Sequence, residues 1–427
     1  MIKTLGNNIV NAFTGGNPVK AIYTYGEKVW PISGPYYIKW IPSSAEGQFN
    51  VDGTTHNLSA FSGIYYWSTG IINSSAFQNN KSIKSIETNA TSIGNSAFGY
   101  CKSLTQLSLP MCSYIGSSAF EYCNSLTQVN LPVCSYIGEY AFVDCSSLSK
   151  ISLPMCSYIG GTAFYNCHSL YKISLPVCSY IGSDAFYRCS SLSQISLSMC
   201  ESIGGYAFYN CISLSQVSLP MCSYIGGHTF QSCSSLSQIS LPVCSYIGIG
   251  AFQNCSSLLQ ISLPMCSYIG ANAFQSCRSL SQVSLPMCSY IRSNTFKDCT
   301  SLLQISLPMC SYIEYSAFQN CRSLSQVSLP VCSYIGSYAF RTCYSLSQLS
   351  LPVCSYIADG AFYNCSSLSR ITIGYSGICS LEGIYAFEGT KITSSTGSIY
   401  VPSSLVASYK RHSMWSDFKS RIFAIPS

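Results

Sequence analysis

The chain has 427 residues, 48% of them hydrophobic and only 8% charged, and carries a net charge of +6 from 21 basic and 15 acidic side chains. High hydrophobicity with little charge excludes intrinsic disorder, and the scatter of Lys and Arg excludes the basic stripe that a nucleic-acid partner needs. No apolar run reaches the roughly 18 residues of a membrane-spanning helix.

The first residues, MIKTLGNNIVNAFTGGNPVK, place no apolar core behind a basic start, so no secretory leader is expected. Residues 19–32, VKAIYTYGEKVWPI, read as a hairpin turning at Gly26–Glu27. Residues 1–34 are therefore expected to form a small β-hairpin attachment module. Residues 35–76 are rich in aromatic side chains and read as an N-terminal cap, with Trp40, Tyr65, Tyr66 and Trp67 covering the first coil of a repeat array.

From residue 77 the chain repeats. Phe occurs at thirteen positions from Phe98 to Phe362, every step 22 residues, with Phe77 and Phe387 bracketing the array at spacings of 21 and 25. The consensus is L-P-[MV]-C-S-Y-I-G-x-x-A-F-x-x-C-x-S-L-x-Q-[IV]-S. Regular copies between two irregular ends are the pattern of a capped solenoid. Leu104, Leu107 and Leu109 set an L-x-x-L-x-L frame, whose alternation predicts a short strand with Ser108 outward. Pro110 cannot donate a ladder hydrogen bond and ends that strand. Cys112 and Ile115 offer a second inward pair, Gly116 turns the chain, and Ala119 and Phe120 plug the core from a short turn or helical piece. The fold class is thus a β-rich solenoid, a leucine-rich-repeat array over 77–390 with 22-residue coils of short parallel strands and short helical turns. It is capped at both ends, the C-terminal cap being 391–427.

The segments A-F-x-x-C-x-S-L-x-x-[IV]-x-L-P and the S-x-I-G before them resemble the BspA-like leucine-rich-repeat family, over about residues 70–390. Residues 399–425, IYVPSSLVASYKRHSMWSDFKSRIFAI, are similar to the cap that closes such arrays. The resemblance implies a β-rich solenoid, display at a cell surface, and adhesion or recognition by exposed faces, without catalysis. The Cys and Tyr columns of L-P-[MV]-C-S-Y depart from the usual pattern, and the missing leader puts the standard export route in doubt. The hairpin segment also resembles short N-terminal modules of phage tail-associated proteins of gut bacteria. That implies virion display, with residues 1–34 contacting other virion or surface-structure proteins.

Twenty-six Cys would ordinarily signal a disulfide framework. Here thirteen form one column, Cys101 to Cys365, and twelve another, Cys112 to Cys354, each in steps of 22; Cys379 stands alone. In-register side chains on parallel strands point the same way, and bonding them would pair alternate coils and break the repeat. Buried free thiols are expected, since free Cys packs as a small hydrophobe. The spacing of 11 between Cys does not match structural zinc sites, whose ligands lie closer in sequence, so no metal or cofactor is expected. Four scattered His, no nucleophile elbow, no phosphate loop and no paired carboxylates leave no catalytic residue to name.

The variable pairs around each Ala-Phe, such as Glu139–Tyr140 and Tyr187–Arg188, read equally as a solvated loop edge or a recognition edge, and two further exposed columns supply the candidate binding residues. One is a Tyr stripe: Tyr114, Tyr136, Tyr158, Tyr180, Tyr224, Tyr246, Tyr268, Tyr290, Tyr312, Tyr334 and Tyr356, broken by Ser202. Tyr suits sugar or protein contact, but a stacked column equally stabilises a sheet. The other is the concave strand face, with Gln194, Gln216, Gln238, Gln260 and Gln282 at its centre and further Gln from Gln106 to Gln348. Its uniformity fits a repetitive ligand such as a polysaccharide, whereas amides bonded along the stack would be structural. The expected function is non-enzymatic adhesion or receptor binding, extracellular, with a cell-surface glycan or protein as partner. Alternatives are a bacterial surface adhesin and a self-assembling structural protein, so a homo-oligomer is a further possibility.

Overall fold

A computed structural model describes residues 70–426 apart from 82, 89 and 395, together with the backbone of short strands before them. The chain forms two compact units, residues 1–200 with 207–214, and residues 201–206 with 215–427.

In the first unit, each coil contributes two short strands. Gln106–Ser108, Gln128–Asn130, Lys150–Ser152, Lys172–Ser174 and Gln194–Ser196 pair in parallel, Gln106 on Gln128, Lys150 on Lys172. The second ladder runs through Tyr114–Ile115, Tyr136–Ile137, Tyr158–Ile159 and Tyr180–Ile181, again identical residue on identical residue. At the N-terminal edge Ile38–Lys39 pairs antiparallel with Ser85–Thr88 and with Ile64–Tyr65, which covers the open hydrogen bonds of the parallel sheet. Tyr23–Thr24 and Glu27–Lys28 pair antiparallel, so the expected hairpin is present. Glu27, expected in the turn, lies in the strand and pairs with Thr24; Gly26 lies outside the described residues. The cap contacts assigned to Trp40, Tyr65, Tyr66 and Trp67 concern side chains outside the described residues, as does most of the attachment module.

The second unit is built alike. Gln216–Ser218 pairs Gln238–Ser240; a separate sheet joins Gln260–Ser262, Gln282–Ser284, Gln304–Ser306 and Gln326–Ser328. A third joins Gln348–Leu351, Arg370–Ile373, Ser398–Val401 and Ile422–Ala424. The C-terminal residues close this end. Trp415 and Tyr409 are fully buried, Trp415 Nε1 donates to the Cys379 carbonyl at 2.8 Å, and the Tyr409 hydroxyl accepts from the Cys379 N–H at 2.8 Å. The helix Val406–Arg411 and the 3-10 stretch Ser413–Arg421 bring them there.

The segment from Gly to Cys in each coil is a turn, the first of the two forms expected, and not a helical piece. Ala119, Glu121 and Cys123 donate to carbonyls three residues back, whereas Ser118, Phe120 and Tyr122 donate to Glu139, Ala141 and Val143 of the next coil at 2.8 Å. A helix would keep all of these donors to itself; here alternate N–H groups serve the stack. Ser118 and Tyr122 take positive φ of 55° and 56°, and the same two positions recur through the array. Asn, Asp and Gly recur there, the residues that tolerate this conformation best.

The Phe column lies at the centre. Rings stack at 5.0–5.3 Å between centroids from Phe77 to Phe186 and at 5.1–5.6 Å from Phe230 to Phe387. All 26 Cys are buried thiols, as expected. One column stitches coils together: Cys123 Sγ donates to the Phe98 carbonyl of the preceding coil at 3.2 Å, and Cys255 to Phe230 at 3.1 Å. The other donates within its own strand turn, Cys266 to the Tyr268 carbonyl at 3.2 Å.

The Gly after each Tyr-Ile carries the closest approach. A Cβ on Gly248 would lie 2.5 Å from Gly226 C and Gly227 N, both backbone atoms. On neighbouring Gly227 the nearest contact would be Ile249 O at 3.4 Å. Gly248→Ala is therefore expected to cost about 1–3 kcal/mol through forced separation of coils, and Gly227→Ala far less. Urea unfolding of the two variants checks this; equal losses would show that the Gly column is not what sets the coil spacing.

Candidate binding surfaces

The Tyr column is present as a stripe in each unit. In the first, Tyr114, Tyr136, Tyr158 and Tyr180 stack at 4.9–5.1 Å with planes within 17° of parallel. In the second, Tyr224, Tyr246 and Tyr268 form one stack, and Tyr290, Tyr312, Tyr334 and Tyr356 another. Parallel stacking buries ring faces against ring faces. What the stripe offers outward is ring edges and phenol hydroxyls. Within this column, the most exposed Tyr are at stack ends: Tyr114 and Tyr224 at 42%, Tyr290 at 37% and Tyr180 at 36%. Tyr114 pairs with Ser92 and Tyr224 with Ser202, so each keeps one face uncovered by a neighbouring ring. Burial, then the neighbouring Tyr334 hydroxyl, pushes the Tyr312 phenol up to about 12.

Arg292 divides the two stacks of the second unit. It stands where most coils have the close-contact Gly, and the strands Tyr268–Ile269 and Tyr290–Ile291 fall in separate sheets. Its guanidinium lies 4.7 Å from the Tyr268 ring centroid and 5.5 Å from that of Tyr290. Glu314, in the same column one coil on, approaches it at 3.8 Å and accepts from Ser293 N and Oγ, both at 2.8 Å. A cation between two rings thus fills the space that a wider side chain opens.

The strand face is exposed as its alternation predicts: Gln out, Ile or Val in, Ser out. Over it lies an open groove in each unit. That of the second has a volume of about 860 Å³ and runs over Gln260, Gln282, Gln304, Gln326 and the Ser beside them. That of the first, about 700 Å³, runs over Gln106, Gln128 and Lys150. Gln194 belongs to the first unit; Gln216 and Gln238 share a sheet apart from Gln260 and Gln282. Among the described residues, the amides of Gln260, Gln282, Gln304 and Gln326 bond no protein group. The structural amide ladder weighed from sequence is absent from these coils. An amide pair does occur elsewhere, Gln253 Nε2 to Gln275 Oε1 at 3.1 Å, in the turn after Phe.

A third column escaped sequence reasoning. The Met or Val before each inward Cys is exposed, from Met111 to Met199 in the first unit and from Met221 to Val353 in the second. The signal was available: this residue precedes the inward Cys, and its apolar identity drew attention away from its outward parity.

A family profile described as a BspA type leucine-rich repeat region (6 copies) matches residues 70–193, 179–303 and 289–406. The chain belongs to the BspA-type leucine-rich-repeat family. Arrays of this family are typically non-catalytic binding scaffolds. Among solved structures, a leucine-rich repeat protein from Bacteroides ovatus is similar at 22% identity and a TM-score of 0.53, over 93% of this chain and 100% of that one, which supports the fold. A leucine-rich cell surface protein from Faecalibacterium prausnitzii aligns at 20% identity and TM-score 0.39, over 89% of this chain and 90% of that one. The pneumococcal vaccine antigen PcpA aligns at 16% and 0.41, over 95% of each. No curated protein matches the chain. None of these comparisons supports the phage-tail resemblance of residues 19–32. Among the described residues no helix is long and apolar enough to cross a membrane, and no cluster of three or more His, Cys, Asp or Glu is arranged to hold a metal.

The thiol columns make a pH prediction. Burial pushes Cys101 and Cys112 from the ordinary 9.0 up to about 12, and Cys134 to about 11. The native chain therefore holds protons that the unfolded chain releases. Their contribution to stability is fully present below pH 9 and is lost as pH rises towards 11–12. Urea midpoints are expected to be level up to about pH 8 and to fall steeply by about pH 10.5. A midpoint unchanged across that interval would mean that the thiols are not buried in solution.

Proposed function

We propose that this chain is a non-enzymatic recognition protein displayed at a bacterial cell surface, where its Gln/Ser strand face binds a neutral, extended polysaccharide. The observation that carries the reading is the row of exposed amides over the second-unit groove with no partner among the described residues. Donors and acceptors that the fold leaves unused, repeated once per coil, suit a ligand that repeats its own hydroxyls. The groove is lined by uncharged side chains, which fits a neutral ligand better than an anionic one. A linear ligand lying along the stack would meet Gln and Ser at every coil, so affinity would grow with ligand length. Family membership supports cell-surface display over a virion. The Tyr stripe is the weaker candidate, because its ring faces are occupied by one another.

Glycan-array and whole-cell binding of the intact chain are compared with Gln260→Ala/Gln282→Ala/Gln304→Ala and with Tyr246→Ser/Tyr268→Ser. At about 1 kcal/mol for each lost hydrogen bond, the Gln variant should bind about a hundredfold more weakly, with the Tyr variant unchanged. The reverse result would move recognition to the Tyr stripe. Binding to proteins but to no glycan would replace the polysaccharide by a protein partner.

A further inference from the structure

We infer that the Met/Val ridge of the second unit is a self-association surface, taken up by the same ridge of a second copy of this chain. The column runs from Met221 to Val353 in steps of 22, one side chain per coil, seven in all, each 42–59% exposed. Together these side chains present on the order of 600 Å² of apolar surface, the upper end of the largest patch on a typical monomer. A stable pair needs about 800 Å² per partner. The Pro before each Met or Val and the Tyr edges beside them lie on the same border and extend the patch.

Three features select a second copy over other occupants. First, no Lys, Arg, Asp or Glu occurs between Gln and Tyr in any of the seven coils from 216 to 356. Two such faces meet without repulsion, while nothing on them attracts an anionic lipid surface, a nucleic acid or an acidic peptide. Second, most of the Ser hydroxyls on this border are already bonded within the fold. Ser245, Ser311, Ser333 and Ser355 donate their hydroxyls to Ser carbonyls of the preceding coil at 3.1–3.3 Å, so covering them breaks little hydrogen bonding with water. Third, a ladder of knobs at the coil spacing matches, knob into gap, a surface of the same spacing. Another copy necessarily has that spacing. Unbranched Met adapts its shape to such a seam, and a twofold arrangement uses the same patch on both copies.

The ridge borders the strand-face groove at Pro242 and Pro264, but none of its Met or Val lines that groove, so substitutions at Met265, Met287 and Met309 test the inference apart from ligand binding. Sedimentation of the full chain in reductant, from dilute to concentrated, should pass from one chain mass to two. Met265→Lys/Met287→Lys/Met309→Lys should stay at one mass at every concentration, while remaining folded with a slightly lower thermal midpoint from Lys beside Lys on adjacent coils. Mixing it with the matching triple Glu variant should restore the doubled mass. A second readout avoids mutation: peroxide oxidation of Met265, Met287 and Met309 in the unaltered chain should slow several-fold in the concentrated sample. A wild-type chain at one mass throughout, a Lys variant that associates like wild type, or concentration-independent Met oxidation would each overturn the inference. So would binding to neutral phosphatidylcholine vesicles without any change of mass in solution, which would assign the ridge to a lipid surface.

Discussion

Each coil gives half of its turn N–H groups, and those of both short strands, to its neighbour. The distance between coils is therefore the distance between hydrogen-bonded strands, roughly 4.8 Å, and the other packing in the molecule conforms to it. Side chains one repeat apart must either fit that spacing or push coils apart. Flat rings fit it, which is why Phe, and outside it Tyr, stack nearly parallel at about one coil spacing. The Gly after most Tyr-Ile pairs fits it for a different reason: a Cβ there would press on the backbone of the preceding coil, and only Arg292, Glu314 and Ala358 stand in its place.

The same constraint explains why disulfides are not formed. Neighbouring Cys of one column lie on parallel, in-register backbone, so their side chains point the same way. Each thiol instead donates to a carbonyl, in one column across coils and in the other within the turn. Burial raises the pKa of Cys101 and Cys112 and keeps them protonated. The columns act as small apolar filling with a weak hydrogen bond, not as a redox framework.

Outside the core, the spacing decides what each exposed column is able to do. Tyr rings close on one another and leave edges, except beside Ser92, Ser202 and Arg292, where the stack is interrupted. Gln side chains reach outward over an open groove and keep their amides free of protein partners. Met and Val have neither a face to close nor a polar group to satisfy, and stand as a ridge of apolar surface. Three columns of one repeat thus present three different chemistries.

Much of this was legible in the sequence. The 22-residue period, the inward Leu, Ile, Phe and Cys columns and the strand at Gln-x-Ser all follow from local pattern, because burial parity and period are properties of the sequence itself, while the C-terminal cap followed from the family resemblance. The parity of L-P-[MV]-C also placed the Met/Val column outside, though its apolar character concealed the fact. Other features needed the tertiary structure. The segment before Cys was open between turn and helical piece; alternate N–H groups turn to the next coil, and that choice depends on a neighbour 22 residues away. Which Tyr faces remain open depends on stacking between coils, and so does the interruption at Arg292. The strand-face amides were equally able to bond one another or to stay free, since local pattern carries no information on side-chain partners across coils. Period and parity belong to the chain; contact between coils, and therefore the surface left over for binding, belongs to the fold.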